Sequence, residues 1–231
     1  IMDCSPLRRG KPTVFRKYNQ NKAILSGDAM FACAFKYLLQ CDKEVIPQLT
    51  ETLTRGAIEV CEGQGFDMDF ENRQTVSTDE YLQMIKLKTG VLLSTALRLG
   101  AITAKADEKT LNLLDTFGKY IGIAFQIKDD ILDFDTSCTS GKGFGNDIKE
   151  KKITLPVIFW IDTLGQKEKE ELLAFVAKDK KSQQEILSFV ERLKTTDCLN
   201  KAGQQVGKYS SLAKEQLKQL PDNEYRKQLE D

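Results

Sequence analysis

Apolar residues recur at helical spacing along almost the whole of this 231-residue chain, and this periodicity constrains the fold more than any other feature. Apolar residues three or four positions apart share one face of an α-helix, whereas a half-buried strand requires strict alternation. No alternating run rich in Val, Ile and Thr stands out. We therefore predict a single all-α domain over residues 1–231, without an internal repeat or an interdomain linker.

Caps and glycines place the helices along the chain. Ser77 followed by Glu80 is a capping-box pattern that begins a helix reaching about Leu99, and Gly90 within it indicates close packing or ligand approach. Gly63 is predicted to end the second helix, and a polar connection follows it. The expected helices cover residues 22–40, 45–62, 77–99, 108–134, 153–163, 166–178, 182–194 and 197–219.

Composition excludes several classes of site. The chain contains no histidine, which rules out Ser-His-Asp and Cys-His catalysis and any histidine-ligated metal. A bound metal must therefore have oxygen ligands, as Mg²⁺ prefers. The six cysteines are dispersed without a CxxC pair, which favours a reduced, cytoplasmic protein. Because the net formal charge is zero and no apolar run approaches the ~20 residues of a membrane span, we expect neither nucleic acid nor an integral membrane segment.

The stretch FQIKDDILDFD, residues 125–135, concentrates carboxylates on an otherwise apolar segment. On a helix, Asp129 and Asp133 share one face, and Asp130 lies about 100° around the axis. Gln126 lies beside them. Like charges about 6 Å apart in a cleft repel by about 3 kcal/mol, and a divalent cation turns this penalty into attraction. The DDxxD arrangement also leaves coordination positions open for a diphosphate.

A solvated acidic helix face is the simpler interpretation of DDxxD by itself, but basic residues elsewhere favour a site. Lys88 lies within the preceding long helical segment, and Lys142 lies in the glycine-rich loop 137–147. Arg8 and Arg9 belong to LRRGKP near the start. Carboxylates for a metal, together with separated cations for phosphate oxygens, indicate a metal–diphosphate site.

Taken together, these motifs resemble the trans-isoprenyl diphosphate synthases, the family of farnesyl, geranylgeranyl and longer polyprenyl diphosphate synthases. The matching stretches occur in the family's order over residues 2 to about 160: MDCSPLRRGKPTV, AILSGDAM, CEGQGFDMDFE, LKTG, FQIKDDILDFD and GKGFGNDIKEKKITLP. The resemblance implies the isoprenoid synthase fold, an antiparallel helix bundle around a central cavity. It also implies Mg²⁺ as the cofactor and a homodimer.

The resemblance further implies head-to-tail prenyl transfer from an allylic diphosphate (dimethylallyl, geranyl or farnesyl) to isopentenyl diphosphate. The residues that match the family's binding set for the allylic diphosphate are Arg8, Lys88, Lys142 and Lys152. Arg9 matches a residue that binds isopentenyl diphosphate.

The residues closest to the chemistry are also carried over from the family. Gln126, Thr89 and backbone carbonyls are expected to stabilise the allylic cation, while Lys88 holds the departing diphosphate. The matching metal ligands are Asp3 and Asp129 directly, with Asp130 and Asp133 acting through water or positioning the site.

One departure concerns the first of the family's two aspartate-rich motifs. DDxxD followed by four residues and RR is represented here only by IMD, with Asp3 as its last aspartate. The N-terminal helices that precede this motif in the family, and the basic segment that they supply for isopentenyl diphosphate, are absent from this chain. We expect the natural protein to extend upstream of Ile1.

The sequence leaves alternatives open for the length of the product and for whether the protein is catalytic. CEGQGFDMDFE resembles short-chain synthases and favours a farnesyl or geranylgeranyl product, whereas KKITLP also occurs among enzymes that make longer polyprenyl chains. A non-catalytic partner subunit of such a synthase is a further alternative, although such subunits typically lose aspartates that the second motif retains here. A class I terpene cyclase shares the fold but more typically carries an NSE-type second motif.

Four residues near these motifs are interpreted as structural. Asp67 and Asp69 lie outside both acidic motifs, so we do not expect them to bind metal. Phe31 and Phe35, four positions apart, are expected in the core or at the dimer interface rather than in a product tunnel.

Overall fold

The computed structural model describes residues 1–2, 5–71, 73, 75–135 and 144–230. Regular structure in this part of the chain is almost entirely helical, which confirms the all-α prediction. The helices of the first half are α1 Val14–Lys17, α2 Gln20–Leu38, α3 Ile46–Phe70, α4 Thr78–Ile85, α5 Val91–Thr103 and α6 Glu108–Asp133. The helices of the second half are α7 Asn146–Lys149, α8 Leu155–Thr163, α9 Gln166–Ala177, α10 Gln183–Lys194, α11 Cys198–Leu217 and α12 Glu224–Glu230.

A two-residue hairpin precedes α1 and was not predicted as a strand pair. Strand β1, Leu7–Arg8, pairs antiparallel with β2, Lys11–Pro12. The two residues of the turn, Arg9 and Gly10, both have positive φ, as a tight hairpin turn requires. The hairpin determines the direction of the Arg8 and Arg9 side chains, which are both exposed.

Helix α6 is the central element of the bundle. It packs against α4, α5, α8, α11 and the π-helical turn that links α4 to α5. Ile127 on α6 is fully buried in the main hydrophobic cluster, where Phe134, Ile158 and Leu193 also lie. Because α6 is held from several sides, the acidic residues near its carboxyl end are fixed relative to the neighbouring helices.

The prediction that Gly63 ends the second helix was wrong. Helix α3 continues to Phe70, through most of the segment expected to be a polar connection. Gly63 is buried, and a Cβ there would collide with the backbone nitrogen of Lys88. The glycine therefore serves a close helix contact, which a sequence pattern does not distinguish from a helix terminator.

The prediction of a special role for Gly90 was correct. Residues Lys86–Gly90 form a π-helical turn between α4 and α5 instead of a continuous α-helix. A Cβ on Gly90 would lie 2.9 Å from the carbonyl oxygen of Lys119, and a Cβ on Gly122 would collide with the Cα of Gly90. Such turns are frequent at functional sites because they redirect a few backbone and side-chain groups.

No helix in the described part of the chain has both the length and the apolar character that crossing a membrane requires. The four cysteines described there, Cys33, Cys41, Cys61 and Cys198, are all free thiols.

Substituting alanine for Gly122 tests the close contact with the π-helical turn. We expect Gly122→Ala to lower the free energy of unfolding by about 1–3 kcal/mol, because the added methyl group must displace backbone atoms. Gly207→Ala on α11 is the matched control, since a Cβ there meets nothing within 4 Å and alanine favours the helix by up to about 1 kcal/mol. Equal stability of the two variants in chemical denaturation would contradict the close contact.

The capping box at the start of α4 predicts a pH-dependent contribution to stability. Glu80 accepts hydrogen bonds from the backbone and the hydroxyl of Ser77 and forms an ion pair with Arg73. These interactions lower the pKa of Glu80 from 4.5 to about 2. A lowered pKa means that the stabilisation is complete above pH 4.5 and is lost as the pH falls towards 2. The stability difference between the wild type and Glu80→Gln should therefore be constant from pH 7 to 5 and shrink below pH 4.5. A difference that grows on acidification would refute this assignment.

Candidate functional site

A cavity of about 840 Å³ opens beside the carboxyl half of α6. Its walls come from the segment entering β1, the carboxyl end of α3, α4 with the π-helical turn, α6, α7 and the segment leading into α8. Acidic residues outnumber basic ones in the described lining, with seven carboxylates and three cationic side chains. The carboxylates are those of Asp67, Glu71, Asp129, Asp130, Asp133, Asp147 and Glu150, and the cations are Arg8, Lys88 and Lys152.

The three aspartates of the DDILD motif have different environments. Asp129 is exposed at the cavity, and no hydrogen bond or ion pair to it is found among the described residues. Asp130 is 3% exposed, and Asp133 is partly buried. Helical spacing places the three carboxylates near one another, but their hydrogen-bond partners direct them differently.

Asp130 is held by several hydrogen-bond donors. The Tyr81 hydroxyl, itself buried on α4, donates to Oδ2 of Asp130. The Gln126 Nε2 donates to Oδ1 over 3.1 Å, and the backbone N–H of Leu155 also donates to this carboxylate. Burial raises the pKa of Asp130 to about 7, against these hydrogen bonds, which lower it.

Gln126 links Asp130 to the π-helical turn. Its Oε1 accepts a hydrogen bond from the Thr89 hydroxyl over 3.0 Å, while its Nε2 bonds Asp130. The sequence placed both residues at the site, and the structure brings them together even though they are 37 positions apart. Tyr81, which completes this chain of hydrogen bonds, was not predicted to belong to the site.

Asp133 accepts hydrogen bonds from the backbone at the start of α7. Its Oδ1 accepts from the backbone N–H of Asn146 and its Oδ2 from that of Asp147, each over 3.0 Å. The Asp133 carbonyl also accepts from the N–H of Gly145 over 2.8 Å. Both carboxylate oxygens therefore stabilise the start of α7, and the sequence pattern gave no indication of this capping role.

Two of the three basic residues in the described lining lie beside acids. Lys88, at the π-helical turn, forms an ion pair of 2.6 Å with Asp67 on α3. Lys152 lies 2.9 Å from Glu150, just before α8. Asp67, which the sequence left as structural, thus holds the ammonium group of Lys88 at the cavity wall.

Asp147 is the acidic residue that the sequence interpretation missed. It lies in the GND segment at the end of the glycine-rich loop, lines the cavity and is partly buried. Burial, followed by the charges of Asp130 and Asp133, raises its pKa well above the ordinary value. Its signal in the sequence was an acid at the end of the loop already singled out for Lys142, but α7 itself has only four residues, which is too short for periodicity to reveal.

The predicted site residues divide into three groups. The cavity lining includes Arg8, Lys88, Gln126, Asp129, Asp130, Asp133 and Lys152, and Thr89 adjoins it through Gln126. Arg9 is exposed in the hairpin turn and is not part of the lining. Asp3 and Lys142 lie outside the described residues.

The carboxylates fit a cation only in part. Within the described segments, no three acidic or cysteine side chains already converge as a ligand set for a metal ion. The carboxylate oxygens of Asp130 and Asp133 already accept hydrogen bonds, whereas both oxygens of Asp129 are available to a ligand. A free carboxylate beside an excess of acids suits a cation that completes its coordination with water and phosphate oxygens.

Comparison with known proteins adds an independent observation. The sequence profile of the polyprenyl synthetase family matches residues 1–193. The geranylfarnesyl diphosphate synthase of Natronomonas pharaonis is 38% identical over 238 aligned residues, which cover 100% of this chain and 67% of that protein.

Solved structures agree on the fold. A crystal structure of geranylgeranyl pyrophosphate synthase superposes with a TM-score of 0.91 at 38% identity, covering 100% of this chain and 72% of the other. A decaprenyl diphosphate synthase from Rhodobacter capsulatus gives a TM-score of 0.91 at 28% identity, covering 100% and 70%. The chain thus spans about two thirds to three quarters of the length of these proteins. With its all-helical bundle and acid-lined cavity, this chain belongs to the polyprenyl synthetase family, a family of trans-prenyltransferase enzymes.

Proposed function

We propose that this protein condenses isopentenyl diphosphate head-to-tail with an allylic diphosphate to give a short-chain prenyl diphosphate. The observation that carries the proposal is the acid-rich cavity, in which one free carboxylate and three basic side chains surround space for a diphosphate. A diphosphate placed there alone would meet a net negative lining, so a divalent cation must accompany it. The expected cation is Mg²⁺.

The residues proposed to hold Mg²⁺ are those of the acidic wall. Asp129 is the direct ligand, because its oxygens are unused and face the cavity. Asp130 and Asp133 contribute their negative charge and bind through water, since their oxygens already accept hydrogen bonds. Asp3 is the ligand proposed from the first aspartate-rich motif. Bound Mg²⁺ would neutralise negative charge on the leaving diphosphate, which promotes cleavage of the allylic carbon–oxygen bond.

The basic residues bind the substrates. Arg8, Lys88 and Lys152, together with Lys142, are proposed to hold the allylic diphosphate. Arg9, at the exposed hairpin turn, is proposed to bind isopentenyl diphosphate. The ammonium of Lys88 is held ready by Asp67, 2.6 Å away, and exchanges this partner for phosphate oxygens as the substrate binds.

The polar residues next to the π-helical turn stabilise the allylic cation. The Gln126 carbonyl oxygen and the Thr89 hydroxyl lie at this turn, 3.0 Å from each other. Oxygen atoms at fixed positions carry partial negative charge and stabilise positive charge that develops nearby. The double bond of isopentenyl diphosphate then forms the new carbon–carbon bond, and the released diphosphate accepts the proton.

The product is proposed to be farnesyl or geranylgeranyl diphosphate. Relatives at 38% identity are named for geranylfarnesyl and geranylgeranyl products, which supports a short chain. The overall fold does not decide the length, because a decaprenyl diphosphate synthase superposes equally well. A longer polyprenyl product is therefore the alternative, and product analysis must distinguish it from farnesyl and geranylgeranyl diphosphate. A cytoplasmic location is part of the proposal and rests on the dispersed cysteines.

Helix α2 offers a surface for the proposed homodimer. None of its residues is buried, and Ile24, Leu25, Met30 and Phe31 are between 47% and 73% exposed. Phe31 packs edge to face against Phe35 at 5.2 Å, and neither residue lines the cavity. A partner copy over this face would remove several large apolar side chains from water.

Catalysis is tested with the complete protein, isopentenyl diphosphate and dimethylallyl, geranyl or farnesyl diphosphate as primer. We expect turnover that requires Mg²⁺, is abolished by a chelator, and falls by about 100-fold or more in Asp129→Asn because transition-state charge is no longer neutralised. Asp162→Asn, an exposed aspartate on α8, is the matched control and should keep wild-type activity. Absence of turnover with every primer would contradict the proposed prenyltransferase activity and favour a non-catalytic partner subunit.

A charged substitution on α2 tests the proposed dimer surface. We expect the wild type to have twice the chain mass in light scattering at micromolar concentration, and Met30→Glu to shift it towards the monomer because a buried carboxylate is costly. Lys43→Glu, outside α2, controls for the added charge. A wild-type protein that is monomeric at these concentrations would rule out this interface.

A further inference from the structure

We propose that Tyr81 and Asp130 are positioning residues that determine which end of the Gln126 side-chain amide faces Thr89. The catalytic consequence rests on the proposed prenyl transfer, whereas the orientation itself follows from hydrogen bonds within the chain. These bonds join α4, α6 and the π-helical turn in a single chain of donors and acceptors.

The hydrogen bonds form a continuous chain from Tyr81 to Thr89. The Tyr81 hydroxyl donates to Oδ2 of Asp130, and the Gln126 Nε2 lies 3.1 Å from Oδ1 of the same carboxyl group and donates to it. The other end of the amide, Oε1, must then lie towards Thr89, whose hydroxyl donates to it over 3.0 Å. Asp130 therefore selects one of two amide orientations that have nearly the same shape.

Tyr81 keeps Asp130 in the position that makes this selection. The two residues are 2% and 3% exposed, and the Tyr81 hydroxyl and the N–H of Leu155 both donate to the carboxylate. Turning the Asp130 side chain towards the cavity would leave buried donors without acceptors, which is costly. The neighbouring Asp129 has no such partners and is exposed at the cavity.

The adjacent aspartates of DDILD therefore divide their tasks. Asp129 is free to face a cation, and Asp130 orients the amide that faces the reacting carbon. With Oε1 at the π-helical turn, Gln126 presents partial negative charge to a developing allylic cation. The reversed amide would present its N–H groups and oppose that charge, so a fixed orientation is a form of electrostatic preorganisation.

Kinetic measurements on Tyr81→Phe and Asp130→Asn separate positioning from metal binding. We expect kcat to fall by about tenfold in each variant, because the amide is no longer held in one orientation. The Mg²⁺ concentration for half-maximal rate should stay at the wild-type value in Tyr81→Phe, which leaves every carboxylate in place, whereas Asp129→Asn should raise it. Tyr120→Phe, which removes a tyrosine hydroxyl on α6 away from the cavity, is the matched control and should leave kcat unchanged. An increased Mg²⁺ requirement in Tyr81→Phe, at unchanged kcat, would overturn the positioning role.

A second measurement does not depend on catalysis. In the ¹⁵N-labelled wild type, a Gln126 side-chain amide proton bonded to a carboxylate should resonate downfield and exchange slowly, and Gln126→Glu identifies its signal by loss. Asp130→Asn should move this signal upfield, and Tyr81→Phe should speed its exchange. Unchanged Gln126 signals in both folded variants would overturn the positioning role. If the wild type showed no turnover, the proposed function would fail, while these spectra would still decide the orientation.

Discussion

The buried carboxylate of Asp130 is the interaction on which the arrangement of the site depends. A carboxylate in an apolar core destabilises the fold unless donors surround it, and Tyr81, Gln126 and the backbone of Leu155 supply them. Because these donors come from α4, α6 and the start of α8, satisfying one charge also fixes three helices relative to one another. The same bonds extend through Gln126 to Thr89, so the stability of the core and the geometry of the cavity have a common origin.

Close backbone contacts make the second contribution. The π-helical turn that carries Lys88 and Thr89 lies between α3 and α6, where Gly63 and Gly122 leave no space for a side chain. This approach brings the turn within reach of Gln126 on one side and Asp67 on the other. The cationic and hydroxyl groups at the cavity wall are therefore positioned by small residues that have no chemistry of their own.

Local signals predicted the helices well, and contacts distant in sequence were the harder part. Periodicity and the Ser77–Glu80 capping box correctly placed α6 and the start of α4, because these signals lie within one turn of helix. Gly63 was misread, since its close partner lies on another helix. Family motifs identified Gln126 and Asp129 as site residues, and both line the cavity. Asp147 and the capping role of Asp133 depend on hydrogen bonds between residues that lie 13 and 14 positions apart in the sequence, which no periodicity records.

The central claim is that this cavity binds a diphosphate together with a divalent cation. Isothermal titration of the complete protein with geranyl diphosphate, without isopentenyl diphosphate, tests it most directly. The acid-rich lining predicts binding in the presence of Mg²⁺ and little or none when a chelator removes the cation. Equal affinity with and without Mg²⁺, or no binding in either condition, would contradict the claim.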